Sequence, residues 1–173
     1  EKDEEAPEDT PDRELQDGEF EFVLKDESGK ELDSVKNDAD GKVNIKLPEF
    51  KEPGEYTFLV SEKDNGNAPN SETTVIYDGN VYVVVIEVTE NITEEVVNVG
   101  GVEYIIKHSE LTAGEMKFYK AELDENGNVK YDEEGKPIYN TEEELPGIAF
   151  NNKYTKPEEP EKPEEPEKPE EPE

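Results

Sequence analysis

The chain has 173 residues, a formal net charge of −31, one His and no Cys, and 39% of its residues are charged against 30% hydrophobic. This balance predicts that part of the chain lies outside any hydrophobic core. The negative charge disfavours nucleic acid and anionic membranes as partners, and the lack of Cys excludes disulfides. No apolar run is long enough to cross a membrane and no signal peptide is present, so the chain is either cytosolic or the mature part of an exported protein.

Two terminal segments differ from the rest of the sequence. Residues 1–17 carry a net charge of −7 and contain Pro7 and Pro11, which predicts a disordered acidic arm. Residues 156–173 repeat KPEEPE three times. Proline at every third position opposes helix and sheet and favours polyproline II, so this Pro/Glu-rich tail is predicted to be a semi-rigid spacer of up to ~56 Å. A disordered tail without a role is the alternative. The folded domain is then expected over residues 18–155.

The sequence between these segments has the pattern of a β protein. Alternating or continuous apolar positions predict strands over residues 19–25, 43–47, 56–60, 81–88, 96–106, 116–123 and 148–154. Turn-forming residues separate them at 37–41, 53–54, 78–80, 124–127, 133–135 and 146–147. Residues 110–115 could hold one helical turn. Many short strands joined by turns predict a single all-β sandwich.

Few residues are candidates for catalysis or metal binding. His108 is the only His, so a catalytic triad and a His-rich zinc site are excluded and a structural or exposed role is expected. Residues 38–41 and 124–128 resemble fragments of calcium loops, but Asp, Asn and Gly also form turns, and the second segment has Val129 where an EF-hand needs Gly. We therefore predict no metal site, no cofactor and no enzymatic activity.

Residues at alternate positions of a strand point to the same face, and we call this shared position their parity. Strand parity singles out one carboxylate and one amide. Glu62 shares its parity with Phe58 and Val60, so on a regular strand its side chain points inward with them. Asn152 likewise shares its parity with Phe150 on the last predicted strand. A buried carboxylate has a raised pKa and needs a partner, and a buried Asn must have its amide hydrogen-bonded. A strand end at which Glu62 reaches water is equally consistent with the pattern.

Several stretches together resemble the streptococcal pilin isopeptide-linkage domain, a module of Gram-positive pilin subunits and long surface adhesins. They occur in the order of the family, at residues 13–24, 37–43, 53–62, 76–88 and 150–154. The resemblance implies an immunoglobulin-like sandwich of the Cna B-type-like class. The region from residue 99 to 144 is longer and more divergent than the family leads us to expect.

The resemblance also implies a specific crosslink. In the family, a Lys on the first strand bonds covalently to an Asn on the last, assisted by an internal Glu. Glu62, in the sequence VSE, matches the assisting acid, and Asn152, third in FNNKY, matches the isopeptide acceptor. Its neighbour Asn151 is expected to face outward.

The isopeptide Lys has no counterpart at the expected position. That position falls near Glu8, within the sequence PEDTP, and the only upstream lysine is Lys2. Lys25 has outward parity, and Lys117 lies far along the chain. Three explanations stay open: the chain begins too late, the domain has lost the bond, or another strand supplies the Lys. We expect no Lys–Asn isopeptide bond in this chain.

The resemblance implies a structural stalk or pilin-like module that projects or links adhesive domains on a Gram-positive cell surface. Its expected partners are neighbouring modules of the same surface protein or pilus, and its expected location is extracellular and anchored to the cell wall. The KPEEPE repeat resembles the spacer that precedes a sorting signal, and peptidoglycan attachment would need such a signal, which this sequence does not contain.

The alternative is an adhesive module that binds a host protein or glycan through inter-strand loops. An exposed aromatic cluster would favour it, and the candidates are Tyr104, Phe118, Tyr119, Tyr131 and Tyr139.

Overall fold

The computed structural model describes residues 14–66 and 74–155, which form seven β-strands and, within those two ranges, no helix. The strands are β1 (Glu21–Asp26), β2 (Glu31–Lys36), β3 (Gly54–Glu62), β4 (Thr74–Ile76), β5 (Val81–Val99), β6 (Val102–Lys120) and β7 (Lys153–Thr155). The predicted all-β class is confirmed. Most of the expected acidic arm and all of the expected spacer lie outside the described residues.

The strands form two antiparallel sheets. The larger sheet has the order β2-β1-β3-β5-β6, and β4 pairs with β7 in a separate two-stranded sheet. In the larger sheet, β3 is central and pairs with β1 on one side and β5 on the other. Because β7 lies against β4, the end of the domain is brought close to the segment that leads into β5.

Both faces of the larger sheet are covered by apolar side chains. Successive residues of a strand point to opposite faces, so Phe58 and Val60 belong to one cluster and Leu59 to another. On the first face, residues of the segments 45–50 and 148–150 pack against the buried side chains. On the second face, the cover comes from the segment 121–139. Burial on two faces explains the continuous apolar run at the start of β5.

The far halves of β5 and β6 form a two-stranded ribbon beyond the sheet. The pairing of β3 with β5 ends at Val88, whereas the pairing of β5 with β6 continues from Thr89↔Thr112 to Val99↔Val102. At the usual rise of a strand this ribbon is about 36 Å long. Its turn is formed by Gly100 and Gly101, which adopt positive φ angles of 60° and 82°.

The strands of the ribbon differ from the elements predicted for this region. Two separate strands were expected at 81–88 and 96–106, with a helical turn at 110–115, but all three belong to the 19-residue strands β5 and β6. The connecting residues 89–95 are mostly polar and exposed on both faces. They therefore lack the burial-driven alternation by which a strand is predicted.

Two further predicted strands are also wrong in extent. Residues 43–47 form no paired strand, and Ile45 and Leu47 instead pack on the first face of the sheet from an unpaired segment. The last predicted strand, 148–154, is reduced to Lys153–Thr155. In both segments an apolar alternation is explained by packing on the sheet, without the hydrogen bonds of a strand.

Four turns share one construction of Asp followed by Gly three residues later. In the turn that begins at Asp124, Oδ1 accepts hydrogen bonds from the backbone N–H groups of Asn126 and Asn128, at 2.8 and 2.9 Å. The N–H of Gly127 donates to the carbonyl of Asp124 at 3.0 Å. The same bonds recur in the turns that begin at Asp26, Asp38 and Asp132. The turn interpretation of residues 38–41 and 124–128 is therefore confirmed.

Residues before the expected domain start at residue 18 are hydrogen-bonded to the folded domain. The side chain of Asn37 is 3% exposed, accepts a hydrogen bond from the backbone N–H of Phe20 at 2.7 Å, and donates to the carbonyl of Gln16 at 2.9 Å. A buried amide must be satisfied in this way. Asn37 thus fixes the entry of the chain into β1, and the boundary at residue 18 stays a prediction.

Candidate functional site: a carboxyl–carboxamide pair

Glu62 and Asn152 are in direct contact although 90 residues separate them in the chain. Glu62 ends β3 opposite Phe22, on the face of the sheet that carries Phe58 and Val60, and it is half-buried. Asn152 immediately precedes β7. Its Nδ2 donates a hydrogen bond to Oε1 of Glu62 at 2.5 Å. The two side chains selected by parity therefore meet at the edge of the core.

Asp78 completes this site. Its backbone N–H donates to Oδ1 of Asn152 at 2.8 Å, and its carboxylate accepts hydrogen bonds from the N–H groups of Asn151 and Asn80, both at 2.9 Å. Asp78 thus holds both the side chain of Asn152 and the backbone next to it. From the sequence, residues 78–80 are predicted only as a turn, and no local signal links Asp78 to a residue 73 positions away.

Glu62 is left partly unsatisfied. Its Oε2 is buried and has no hydrogen-bond partner among the residues that the structure describes. Burial raises the pKa of this carboxyl, the hydrogen bond from Asn152 opposes the rise, and the negative charge of Asp78 adds to it. Glu62 therefore stays protonated to a higher pH than an exposed glutamate would.

Comparison with known protein families matches residues 4–155 to the family described as FctA, Spy0128-like isopeptide containing domain. The chain belongs to this family. Membership confirms the resemblance to pilin isopeptide-linkage domains and supports, in general terms, a pilus or surface stalk module. No curated protein and no solved structure gave a significant match.

The geometry of this FctA-family domain suits attack of an amine on Asn152. A nucleophile that adds to Cγ places negative charge on Oδ1, where the N–H of Asp78 would stabilise it. The Nδ2 that must leave as ammonia already contacts Glu62, whose raised pKa suits it to deliver a proton. The described residues thus place a carboxyl next to a carboxamide, and such a reaction would need an amine as well.

No lysine in the described part of the chain forms a hydrogen bond or ion pair with Glu62 or Asn152. Lys25 pairs with Leu59, and Lys117 pairs with Val85, so both lysines lie on the opposite face of the sheet from Glu62. Lys25 was expected to point away from Glu62, and it does lie on the opposite face, where it is half-buried rather than fully exposed. Lys2 lies outside the described residues.

The remaining candidates from the sequence are not drawn into this site. His108 lies on the ribbon, where its Nε2 is 3.1 Å from Oε2 of Glu95 and both side chains are exposed. Within residues 14–66 and 74–155, no group of three acidic, His or Cys side chains could hold a metal ion, and no helix could cross a membrane.

The candidate aromatic residues do not gather into an exposed cluster. Tyr119 is buried and its ring centroid lies 4.9 Å from that of Tyr139, while Phe118 packs on the first face of the sheet. Tyr104 and Tyr131 are 53% and 40% exposed, but one lies on the ribbon and the other in the turns after β6. These five residues therefore do not form the exposed aromatic cluster that would favour an adhesive loop surface.

Proposed function

We propose that this domain is a non-enzymatic structural stalk module of a Gram-positive surface protein or pilus, which projects or links adhesive domains. The observation that supports it best is the junction of Glu62, Asp78 and Asn152. In a stalk, tension reaches a domain through its chain ends, and β7 alone offers only a three-residue pairing with β4. The side-chain bonds of the junction add a second attachment of the chain end to the larger sheet.

We infer further that Glu62 and Asn152 occupy the assisting-acid and acceptor positions of an isopeptide site that has no lysine of its own. Their contact and the raised pKa of Glu62 support this assignment. A lysine amine attacking Cγ of Asn152 would form the amide and release ammonia. Without that amine, the hydrogen bonds to Glu62 and Asp78 are what hold Asn152 in place.

Single-molecule force spectroscopy tests the stalk role. The chain is inserted between reference domains and pulled from both ends, with Asn152→Ala compared with Asn151→Ala, since the exposed side chain of Asn151 takes no part in the junction bonds described above. We expect the full domain to extend by roughly 45 nm, as an uncrosslinked chain of residues 18–155 should. Unfolding force should fall in Asn152→Ala and not in Asn151→Ala.

Two results would contradict this proposal. If both variants unfold at the force of the unchanged protein, the junction bears no load. If the domain resists extension throughout, a covalent crosslink closes it and the assignment of a site without lysine fails.

The proposed setting is the outside of the cell, with neighbouring modules of the same surface protein or pilus as partners and the KPEEPE repeat as a wall-proximal spacer. Family membership supports the surface location. Treatment of intact cells of the source bacterium with a protease should release peptides of this domain. Their release only after lysis would place the protein inside the cell.

A further inference from the structure

The tip of the ribbon has one face whose outermost side chains are apolar and uncharged. Val97 pairs with Tyr104, and Val99 pairs with Val102, so these four side chains point to the same side together with Ile106. We call Val97, Val99, Val102, Tyr104 and Ile106 the tip face. Four of them are 42–60% exposed, and Val97 is half-buried.

Charge distinguishes the tip face from its surroundings. The first charged residue on this side is Glu95, which is paired with Ile106 and contacts His108, so it marks the polar base of the face. The opposite side of the ribbon also exposes Val96 and Ile105. Unlike the tip face, it carries Glu103 near the turn and the ion pair of Lys107 with Glu94. In a chain of net charge −31, a surface with no acidic residue is an exception that calls for a partner.

We propose that the tip face is a self-association surface, on which two copies of this chain pair through a two-fold axis. An apolar, uncharged face is complementary to itself, because its apposition to an identical face brings no like charges together. This pairing is independent of the stalk role and of the Glu62–Asn152 site, and it adds a lateral contact between modules.

The length of the ribbon favours a second copy despite the large charge of each. The tip lies about 36 Å from the sheet, whereas interactions between exposed charges are screened over about 8 Å at physiological ionic strength. Two domains that meet only at their tips therefore keep their acidic bodies several screening lengths apart. Surfaces on the body of the domain, outside the ribbon, would bring those acidic bodies close together.

The size of the tip face predicts weak pairing. It spans only about 13 Å of strand, so it buries less than the ~800 Å² per partner of a standard interface. Such pairing is expected to be concentration-dependent in solution. On a cell surface with many tethered copies, high effective concentration would make it significant.

Sedimentation velocity over about 10 μM to 1 mM, the range of weak association, tests the proposal with two matched variants. Ile106→Glu places a charge on the tip face, and Ile105→Glu places the same charge one residue away on the opposite face. We expect the unchanged protein and Ile105→Glu to dimerise as concentration rises. Ile106→Glu should weaken dimerisation at least about tenfold, because each dimer carries the lost apolar contact twice.

Thermal melts of both variants provide the folding control, since the ribbon lies outside the core and the melting temperature should not change. Three outcomes would overturn the proposal. If the protein stays monomeric at every concentration, the tip face does not bind a second copy and is left for a different partner. Equal weakening by both variants would place the contact elsewhere on the ribbon, and undiminished pairing of Ile106→Glu would remove the tip face from the interface.

Discussion

Asn151 and Asn152 are chain neighbours in opposite environments. The amide of Asn152 bonds to Glu62 and Asp78, whereas the side chain of Asn151 is exposed and, among the described residues, Asn151 contributes only its backbone N–H to the junction. Asn152→Ala should lower the free energy of unfolding by about 1–3 kcal/mol, because it leaves half-buried polar groups unpaired. Asn151→Ala should change it little. Chemical denaturation of both variants measures the difference, and equal effects would show that the junction adds no stability.

The raised pKa of Glu62 has a consequence for stability against pH. The folded state binds this proton more tightly than the unfolded chain, so the contribution of Glu62 is fully present below the ordinary glutamate pKa of about 4.3. It is lost as pH rises through the raised value. Glu62→Gln removes this dependence. The melting temperature of the unchanged protein, relative to the variant, should therefore decline from about pH 4 towards neutrality.

Asp26 and Asp124, whose pKa values are lowered by hydrogen bonds in their turns, act in the opposite direction. Both aspartates are present in the unchanged protein and in Glu62→Gln, so their effects on the melting temperature cancel in the comparison. If the melting temperature of the unchanged protein instead rises relative to that of Glu62→Gln as pH increases, a raised pKa of Glu62 is contradicted.

Parity indicates inward positions for Glu62 and Asn152, because the direction of a side chain on extended backbone follows from its position, but it leaves a strand end open to water as an equal alternative for Glu62. It could not reveal Asp78, since the bonds that Asp78 makes to Asn151 and Asn152 depend on how two distant segments meet. Nor could it show that Oε2 of Glu62 is buried, which depends on the packing around the end of β3.

At the scale of elements, turn chemistry was readable and strand length was not. An Asp followed by Gly three residues later satisfies its own turn through local bonds, so the four turns are encoded within five residues each. The ribbon depends only on the pairing of β5 with β6 and buries little on either face. Its inner stretches 89–95 and 110–115 show no hydrophobic alternation in the sequence, so periodicity does not identify them as strand.

One glycine tests this local encoding. Gly127 has a φ of 81° and no atom near the position of a Cβ, so Gly127→Ala introduces backbone strain without a steric clash. We expect it to destabilise the domain by about 1 kcal/mol. Gly147 has the same open surroundings without a positive φ, and Gly147→Ala should be neutral or slightly stabilising. Denaturant melts that give both variants the same loss would show that the φ angle does not limit this turn.

At the scale of the whole molecule, the question is whether the chain is covalently closed. Each Lys–Asn isopeptide bond releases one ammonia, a loss of about 17 Da from the mass of the chain. We expect the intact mass to equal that of the sequence, because no lysine contacts Asn152 in the described part of the domain. A mass short by this amount, with Asn152 in the linked peptide, would show that Lys2 or another lysine reaches the site.

The inner and outer halves of β5 differ in how well their backbone amides are protected from hydrogen exchange. Up to Val88, β5 is buried and paired on both edges, while from Thr89 onward it is exposed and pairs only with β6. Opening the outer half exposes little apolar surface, so it should unfold locally without loss of the core. Amide hydrogen exchange along β5 should therefore change abruptly between residues 88 and 89, slow before and fast after. A protease that cuts at the ribbon would then leave a nicked domain whose two fragments stay together.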